Sequence, residues 1–376
     1  MKRSFRLHAS AFILLLSRGT MPLTQDQILA ALRTVKDPEL FKDIVTLGMV
    51  KDIQINNDAV NLTVELTTPA CPLKDVIEKD VKMALARIGV ENVTLNLTAQ
   101  TRGANGPKKD VLPQVKNVIA VGAGKGGVGK STISLNLAIA LQRAGAQVGL
   151  MDGDIYGPSM PTMLGVKGVP PKVRGNKILP HHVHGIYAVT IGSLVEPDKP
   201  LIWRGPMAHA AFKQLLLDNT DWPDLDYLIV DLPPGTGDVP LTLCQLLPLT
   251  GAVVVATPQQ VALDDAIRAI RMFEQLGAPV LGMVENMSYM PMPDGSIVDL
   301  FGRGGAEKAA KELGLPFLGE LPLYPELRQN CDAGKPHLNF EHNPKLREAL
   351  EGIASKLAGE VSRRNLETPA PTLTVS

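Results

Sequence analysis

Cysteine is scarce in this chain, with only Cys71, Cys244 and Cys331 among 376 residues. An odd, widely spaced set of three cannot build a disulfide framework, which excludes the small secreted scaffolds and fits a reducing compartment. An excess of charge of either sign is missing too, since Lys+Arg and Asp+Glu both number 38. That balance provides no bulk attraction for nucleic acid or an anionic membrane, and neither is expected as a partner. Long hydrophobic runs are absent as well. The apolar stretch Ala11 to Leu16 is far too short to span a bilayer.

Hydrophobic residues nevertheless make up 45% of the chain, ample for sizeable cores, and the length suggests two domains. Residues 1–20 stand apart: they carry Lys2, Arg3, Arg6 and Arg18 and no acid. Two readings stay open, a mitochondrial presequence and a start assigned too early. Thr24-x-x-Gln27 is a capping box for a helix containing Ile28, Leu29 and Leu32, which favours a cytoplasmic protein starting at Met21. Residues 21–100 then read as helix, two strands, helix, strand, a small α+β domain. Val60, Leu62, Val64 and Leu66 alternate as in a half-buried strand, and Ile77, Val81, Ala84, Leu85 and Ile88 share one helical face. The polar, glycine-bearing residues 101–114 read as a linker.

Residues 115–364 alternate apolar strands with helices. Strands are expected at Val148 to Met151, Tyr227 to Val230, Ala252 to Ala256, Val280 to Val284 and Phe317 to Leu318. This alternation predicts an α/β fold with a mostly parallel sheet covered on both faces. Asn343-Pro344 opens a last helix to about Arg364, and residues 365–376 are expected to be disordered.

The stretch "VIAVGAGKGGVGKSTISLNLAIAL" begins this region. It places Gly124, Gly129, Lys130 and Ser131 in the spacing G-x-x-x-x-G-K-[ST], between a strand and a helix. Such a spacing arises by chance in roughly one chain in a hundred of this length; the flanking elements make chance a poor explanation. Backbone N–H groups from Gly124 to Thr132, including those of Gly126, Gly127 and Val128, can converge on phosphate oxygens at a helix N-terminus. Lys130 suits the β/γ-phosphates and the Ser131 hydroxyl suits Mg²⁺. Carboxylates at the ends of apolar strands are the other requirement. Asp231 is the first choice for holding Mg²⁺ through water, Asp154 for orienting the attacking water, and Asp152 for the outer shell of the metal. Gly235 and Gly237 would let the segment after Asp231 respond to a γ-phosphate.

"GKGGVGKST" carries an additional lysine, Lys125, directly after its first glycine. This resembles the deviant phosphate loop of the MinD/ParA-type ATPases. The resemblance implies a homodimer with two ATP molecules between its subunits, in which Lys125 reaches the partner's nucleotide and meets charge developing on the γ-phosphate. "MDGDIYGPSMP", "DLPPGTGD", "VENMSYM" and "LFGRGGAEKAA" further resemble the Mrp branch, the iron–sulfur cluster carrier ATPases. "KDPELFKDIVTLGMV" and "ELTTPACPLKD" resemble the small iron–sulfur-assembly domain fused ahead of many of them. The resemblance implies a nucleotide-gated carrier or scaffold that hydrolyses ATP and passes clusters to recipient apoproteins and assembly factors, with Asn286 reading the adenine edge.

One departure matters. Many Mrp proteins place a C-x-x-C pair shortly after "VENMS" and bridge a cluster between subunits with it; here that stretch contains no cysteine. Met290 and Met292 offer only weakly ligating thioethers. Cys71, between a strand and the helix opening near Leu73, is the candidate thiolate for a cluster, against the alternative of a small buried turn residue. Cys244 and Cys331 read as packing residues. His181, His182 and His184 do not share one strand face and lack a carboxylate or cysteine close in sequence, a poor metal set. Two rival readings remain. A positioning ATPase of the MinD kind would need an amphipathic membrane helix, which Pro369 and Pro371 preclude in the tail, and one of the ParA kind a basic surface. A nucleotide-gated scaffold that never ligates a cluster draws its support from the missing pair.

Overall fold

The computed structural model describes residues 23–367, except 39, 41, 57–58, 71–73, 104–110, 155–156 and 194–211. The expectations for residues 1–20, for Cys71, for most of the linker and for the chain beyond Glu367 therefore lie outside the described residues.

The first unit opens with α1 (Gln25–Leu32), where the Thr24 hydroxyl accepts from Gln27 N–H and the Gln27 side chain accepts from Thr24 N–H, the capping box in full. β1 (Val50–Asn56) and β2 (Ala59–Leu66) run antiparallel, α2 (Lys74–Ala86) crosses over, and β3 (Asn92–Ala99) returns parallel to β2. The alternating residues of β2 are buried with Ile77, Val81, Ala84 and Leu85 of α2. Ile88 falls beyond the helix end and is 39% exposed, so the expected face is one residue shorter; Gly89, at φ +88°, turns the chain there.

The larger unit comprises, in order, β4 (Val115–Gly122), α3 (Lys130–Arg143), β5 (Val148–Asp152), α4 (Met160–Met163), β6 (Lys172–Arg174), β7 (Lys177–Leu179), β8 (His181–Val183), β9 (Ile186–Thr190) and β10 (Leu225–Asp231). It continues with α5 (Asp238–Leu246), β11 (Gly251–Ala256), α6 (Gln260–Gln275), β12 (Val280–Asn286), β13 (Met290–Pro291), β14 (Ile297–Val298), α7 (Gly305–Leu313), β15 (Phe317–Leu321), α8 (Pro325–Asp332) and α9 (Pro344–Glu367). Eight strands form one sheet in the order β15-β12-β11-β4-β10-β5-β9-β8, parallel throughout except for the edge strand β8. One face packs against α3, α8 and α9, the other against α5, α6 and α7. This is the predicted α/β fold. Burial on both faces explains why β4, β10 and β11 read as unbroken apolar runs. The β6–β7 hairpin and the pair β8–β9 were not legible, because their three- to five-residue strands carry no sustained alternation.

The two units are joined by specific polar contacts. The Thr68 and Tyr227 hydroxyls lie 3.0 Å apart, Ser355 donates to the Ala70 carbonyl at 2.7 Å, and Arg102 donates to the Leu47 carbonyl at 3.1 Å. Ala70 is itself buried within the core of the larger unit. Pro69 sits against Gly145, just past the C-terminal end of α3, so the segment leading into Cys71 docks at the opposite end of that helix from Lys130. Among the described residues no helix is long and apolar enough to cross a membrane.

Candidate nucleotide-binding site

The loop between β4 and α3 is shaped by close approaches that only glycine permits. A Cβ on Gly124 would lie 2.0 Å from the backbone carbonyl carbon of Asp265 on α6, so any side chain there would displace a helix. Gly129, at φ +82°, caps α3 in the left-handed region and presents the loop at the helix N-terminus. A Cβ on it would meet the Asn286 amide nitrogen at 2.1 Å.

Behind the loop, Asp231 ends β10 fully buried and collects three donors. Lys130 Nζ reaches its Oδ1 at 2.8 Å, Ser134 Oγ donates to the same oxygen at 2.7 Å, and Ser131 Oγ donates to Oδ2 at 2.6 Å. The lysine and hydroxyl chosen from sequence for phosphate and Mg²⁺ thus meet on the carboxylate chosen for Mg²⁺. A carboxylate with a hydroxyl beside it is the hard-oxygen donor set that Mg²⁺ favours. Ser134 was missed by sequence reading, although its spacing of four from Lys130 puts both on one face of α3.

Parallel pairing sets Asp152 directly beside Asp231 in register. The Asp152 carboxylate accepts from the Thr190 hydroxyl at 2.7 Å and from Asp154 N–H at 3.1 Å. Burial, and then the adjacent Asp231 charge, push its pKa up to about 7. The unfolded carboxyl titrates near 3.8, so folding favours the neutral acid. This group's stabilising contribution is complete below about pH 4 and is lost as pH rises towards 7. In magnesium-free buffer without nucleotide, raising pH from 5 to 8 is expected to cost about 2–3 kcal/mol of stability through Asp152, and Asp152→Asn should remove that slope. Urea unfolding at a series of pH values checks this; an unchanged slope in the variant would assign the titration to another group.

Asp154 lies half-buried at the start of the next segment, and its carboxylate accepts from Gly157 N–H at 3.4 Å. It borders a 460 Å³ cleft whose far wall is Pro233, Pro234 and Gly237. That far segment is tied to the phosphate loop, with Leu232 N–H on the Val121 carbonyl and Gly235 N–H on the Ala123 carbonyl. Lys125 is half-buried and, among the described residues, makes no hydrogen bond or ion pair. Gly126 and Gly127 are exposed, Val128 is buried, and Thr132 gives its carbonyl to the Asn136 amide at 2.8 Å. Asn286 does end a strand on this side of the sheet, where its amide donates to the Val128 carbonyl at 2.8 Å and braces the loop. That contact was not foreseen, because it joins residues 158 positions apart.

The remaining candidates stay apart from the loop. Cys244 is buried on α5 with its thiol pushed up to about 12 by burial. Cys331 is buried on α8, its thiol also raised by burial, beside the amides of Asn136 and Asn339. His184 leaves β8 at φ +51° and faces His337, Nδ1 to Nδ1 at 3.1 Å, while His182 stacks on Tyr187. No cluster of three metal-ligating groups forms among the described residues.

Comparison with known proteins places the chain in a family. Residues 114–358 match the family described as NUBPL iron-transfer P-loop NTPase. The chain belongs to this family. Residues 25–95 of this P-loop NTPase match a second family, described as iron–sulfur cluster assembly protein. An iron–sulfur cluster carrier protein from Synechocystis is 49% identical over 90% of this chain and 98% of its own length. A protein of the same name from Deinococcus radiodurans is 49% identical over 91% of this chain and 97% of its own. Among solved structures, a nucleotide-binding protein from Archaeoglobus fulgidus in complex with ADP, with cobalt, is 36% identical at a TM-score of 0.54. It covers 63% of this chain and 93% of its own.

Proposed function

We propose that this NTPase binds and hydrolyses ATP with Mg²⁺ and uses the nucleotide to gate a homodimer that carries iron–sulfur clusters to recipient apoproteins. The observation that carries the nucleotide half is the meeting of Lys130 and Ser131 on the buried carboxylate of Asp231 inside a glycine loop. The carrier half rests on family membership and on near-full-length similarity to proteins named as cluster carriers.

In this reading Lys130 turns from Asp231 to the β/γ-phosphates, and the loop N–H groups take the phosphate oxygens. Ser131 and Asp231 would hold Mg²⁺, with Asp152 behind them, and the ion would supply positive charge against the phosphoryl oxygens. Asp154 accepts a hydrogen bond from the attacking water, and Lys125 of the partner subunit meets charge on the γ-phosphate. Asn286 sets the loop through Val128 and reads the adenine edge with the rest of its amide. Neutral bulk charge supports protein partners over nucleic acid or membrane, and the odd, sparse set of three cysteines supports a reducing, cytoplasmic location.

A nucleotide held between subunits must tighten the dimer. ATP is expected to shift the chain from monomer towards dimer, and Asp154→Ala to accumulate the dimer because hydrolysis no longer resolves it. Sedimentation velocity over a wide concentration range checks both, and equal mass with and without ATP would eliminate the gated dimer. The scaffold reading keeps one specific support: both described cysteines are buried with raised thiol pKa values, unsuited to iron.

A further inference from the structure

Exposed apolar side chains are concentrated at one place among the described residues. Of eleven large ones, five lie in a single short stretch: Met292, Ile297, Val298, Leu300 and Phe301, each 37–50% exposed. They belong to the β13–β14 hairpin and the chain leaving it, which follow Asn286 at the end of β12. β13 and β14 pair only with each other, antiparallel, and stand outside the eight-stranded sheet. Ile297 and Val298 are neighbours on one strand, so their side chains point to opposite faces, and both are exposed. A lone two-stranded hairpin is marginally stable in water, and clustered exposed apolar side chains mark an interaction site.

The hairpin is nevertheless held firmly at its base. The buried Glu285 carboxylate accepts from Gly304 N–H at 2.8 Å and Ala306 N–H at 2.7 Å, which fixes the start of α7. Arg303 donates from Nε to Glu320 at 3.0 Å and lays its guanidinium over the Tyr289 ring. Apolar side chains held out in water on a rigid base form a surface with little ordering left to oppose binding. Its charge is of one sign. No lysine or arginine occurs between Arg271 and Arg303, and Arg303 is paired with Glu320. Asp294 and Asp299 are both exposed. The Ser296 hydroxyl and N–H donate to the Asp294 carboxylate at 2.6 and 2.9 Å and hold its pKa below the usual range. Two copies of the hairpin placed face to face would set like charges together, which disfavours self-association through it.

We propose that this hairpin docks a recipient protein, which it meets through an apolar segment bearing basic side chains. The partner's being a recipient rests on the carrier reading above. Leu300 and Phe301 supply the apolar contact, and Asp294 and Asp299 select the cations. A fluorescein-labelled amphipathic helix of leucine and lysine is a suitable probe, titrated into the full chain and read by anisotropy. A leucine–glutamate helix of the same pattern is its opposite. Saturable binding of the lysine peptide is expected, weakened about tenfold or more in Leu300→Ser/Phe301→Ser. Asp294→Asn/Asp299→Asn should weaken it several-fold, a difference that rising salt erases. The glutamate peptide should bind about tenfold more weakly than the lysine peptide. Val76→Ser/Met83→Ser, which removes an exposed apolar pair on α2, should change nothing, and unaltered ADP affinity shows that each variant is folded. Equal binding of the two peptides, no saturable binding, or binding that survives Leu300→Ser/Phe301→Ser would each overturn the assignment. Sedimentation showing that Leu300→Ser/Phe301→Ser weakens a dimer would give the surface to a second copy and overturn it as well. The titration uses no iron, so failed docking leaves the carrier reading standing, and failure to load a cluster leaves the docking intact.

Discussion

Lys130→Ala is expected to weaken ATP binding by about a hundredfold or more, while Lys125→Ala leaves affinity within a few-fold and cuts turnover by two orders of magnitude or more. The two lysines differ in where they are held. Lys130 is buried, fixed against Asp231 and at the start of α3, so its charge belongs to whatever anion the loop holds in its own subunit. Lys125 is half-buried without a partner among the described residues, and its cation is available to a second subunit. Removing Lys130 also strands the Asp231 carboxylate in the core, a loss of about 3–5 kcal/mol where one member of a buried pair is deleted, softened here by the Ser131 and Ser134 hydroxyls. Folding and binding are separated by the double variant Lys130→Ala/Asp231→Asn, which should regain stability and still fail to bind ATP. Fluorescent-nucleotide titration and single-turnover hydrolysis provide both readouts. Equal loss of affinity in Lys125→Ala and Lys130→Ala would refute the division of labour.

The parts of this site that could be read from sequence are those that lie close together along the chain. The phosphate loop is one contiguous segment whose glycines and lysines have fixed spacings, and Asp152 and Asp231 announce themselves by ending apolar strands, with Asp154 two residues beyond the first. The sheet was legible for the same reason, since strands buried on both faces are continuous apolar runs. Contacts between distant segments were not. Thr190 on Asp152, Asp265 against Gly124, Asn286 on Val128 and His337 on His184 depend on strand order and helix placement, which no local pattern encodes. The histidines illustrate the point. Strand periodicity separated His181 from its neighbours, yet the ring that meets His184 comes from beyond β15.

Cluster binding by this chain should disappear in Cys71→Ser and be little changed in Cys244→Ser. After anaerobic reconstitution with iron and sulfide, the wild-type chain is expected to show a weak or labile visible absorbance band that the first variant lacks. Elimination accounts for half of this expectation. Iron requires thiolate, and burial holds both Cys244 and Cys331 towards the protonated form in packed cores on opposite faces of the sheet. Position accounts for the rest. Cys71 lies outside the described residues, but it follows Ala70, docked at the far end of α3 from the phosphate loop, and precedes α2, whose N-terminus favours an anion. With fourteen residues in α3, that end lies roughly 20 Å from the loop at 1.5 Å per residue. A dimer closed across the nucleotide face would therefore not bring the two copies of Ala70 together at the ATP sites. One thiolate per subunit cannot complete the four that a cluster takes, so the remaining ligands must come from outside thiols, and labile binding follows. Added glutathione should then raise the occupancy of the wild-type chain and leave Cys71→Ser empty. A stoichiometric cluster that survives Cys71→Ser would place the iron on another sulfur, and no iron under any thiol condition would turn the reading to a nucleotide-gated scaffold.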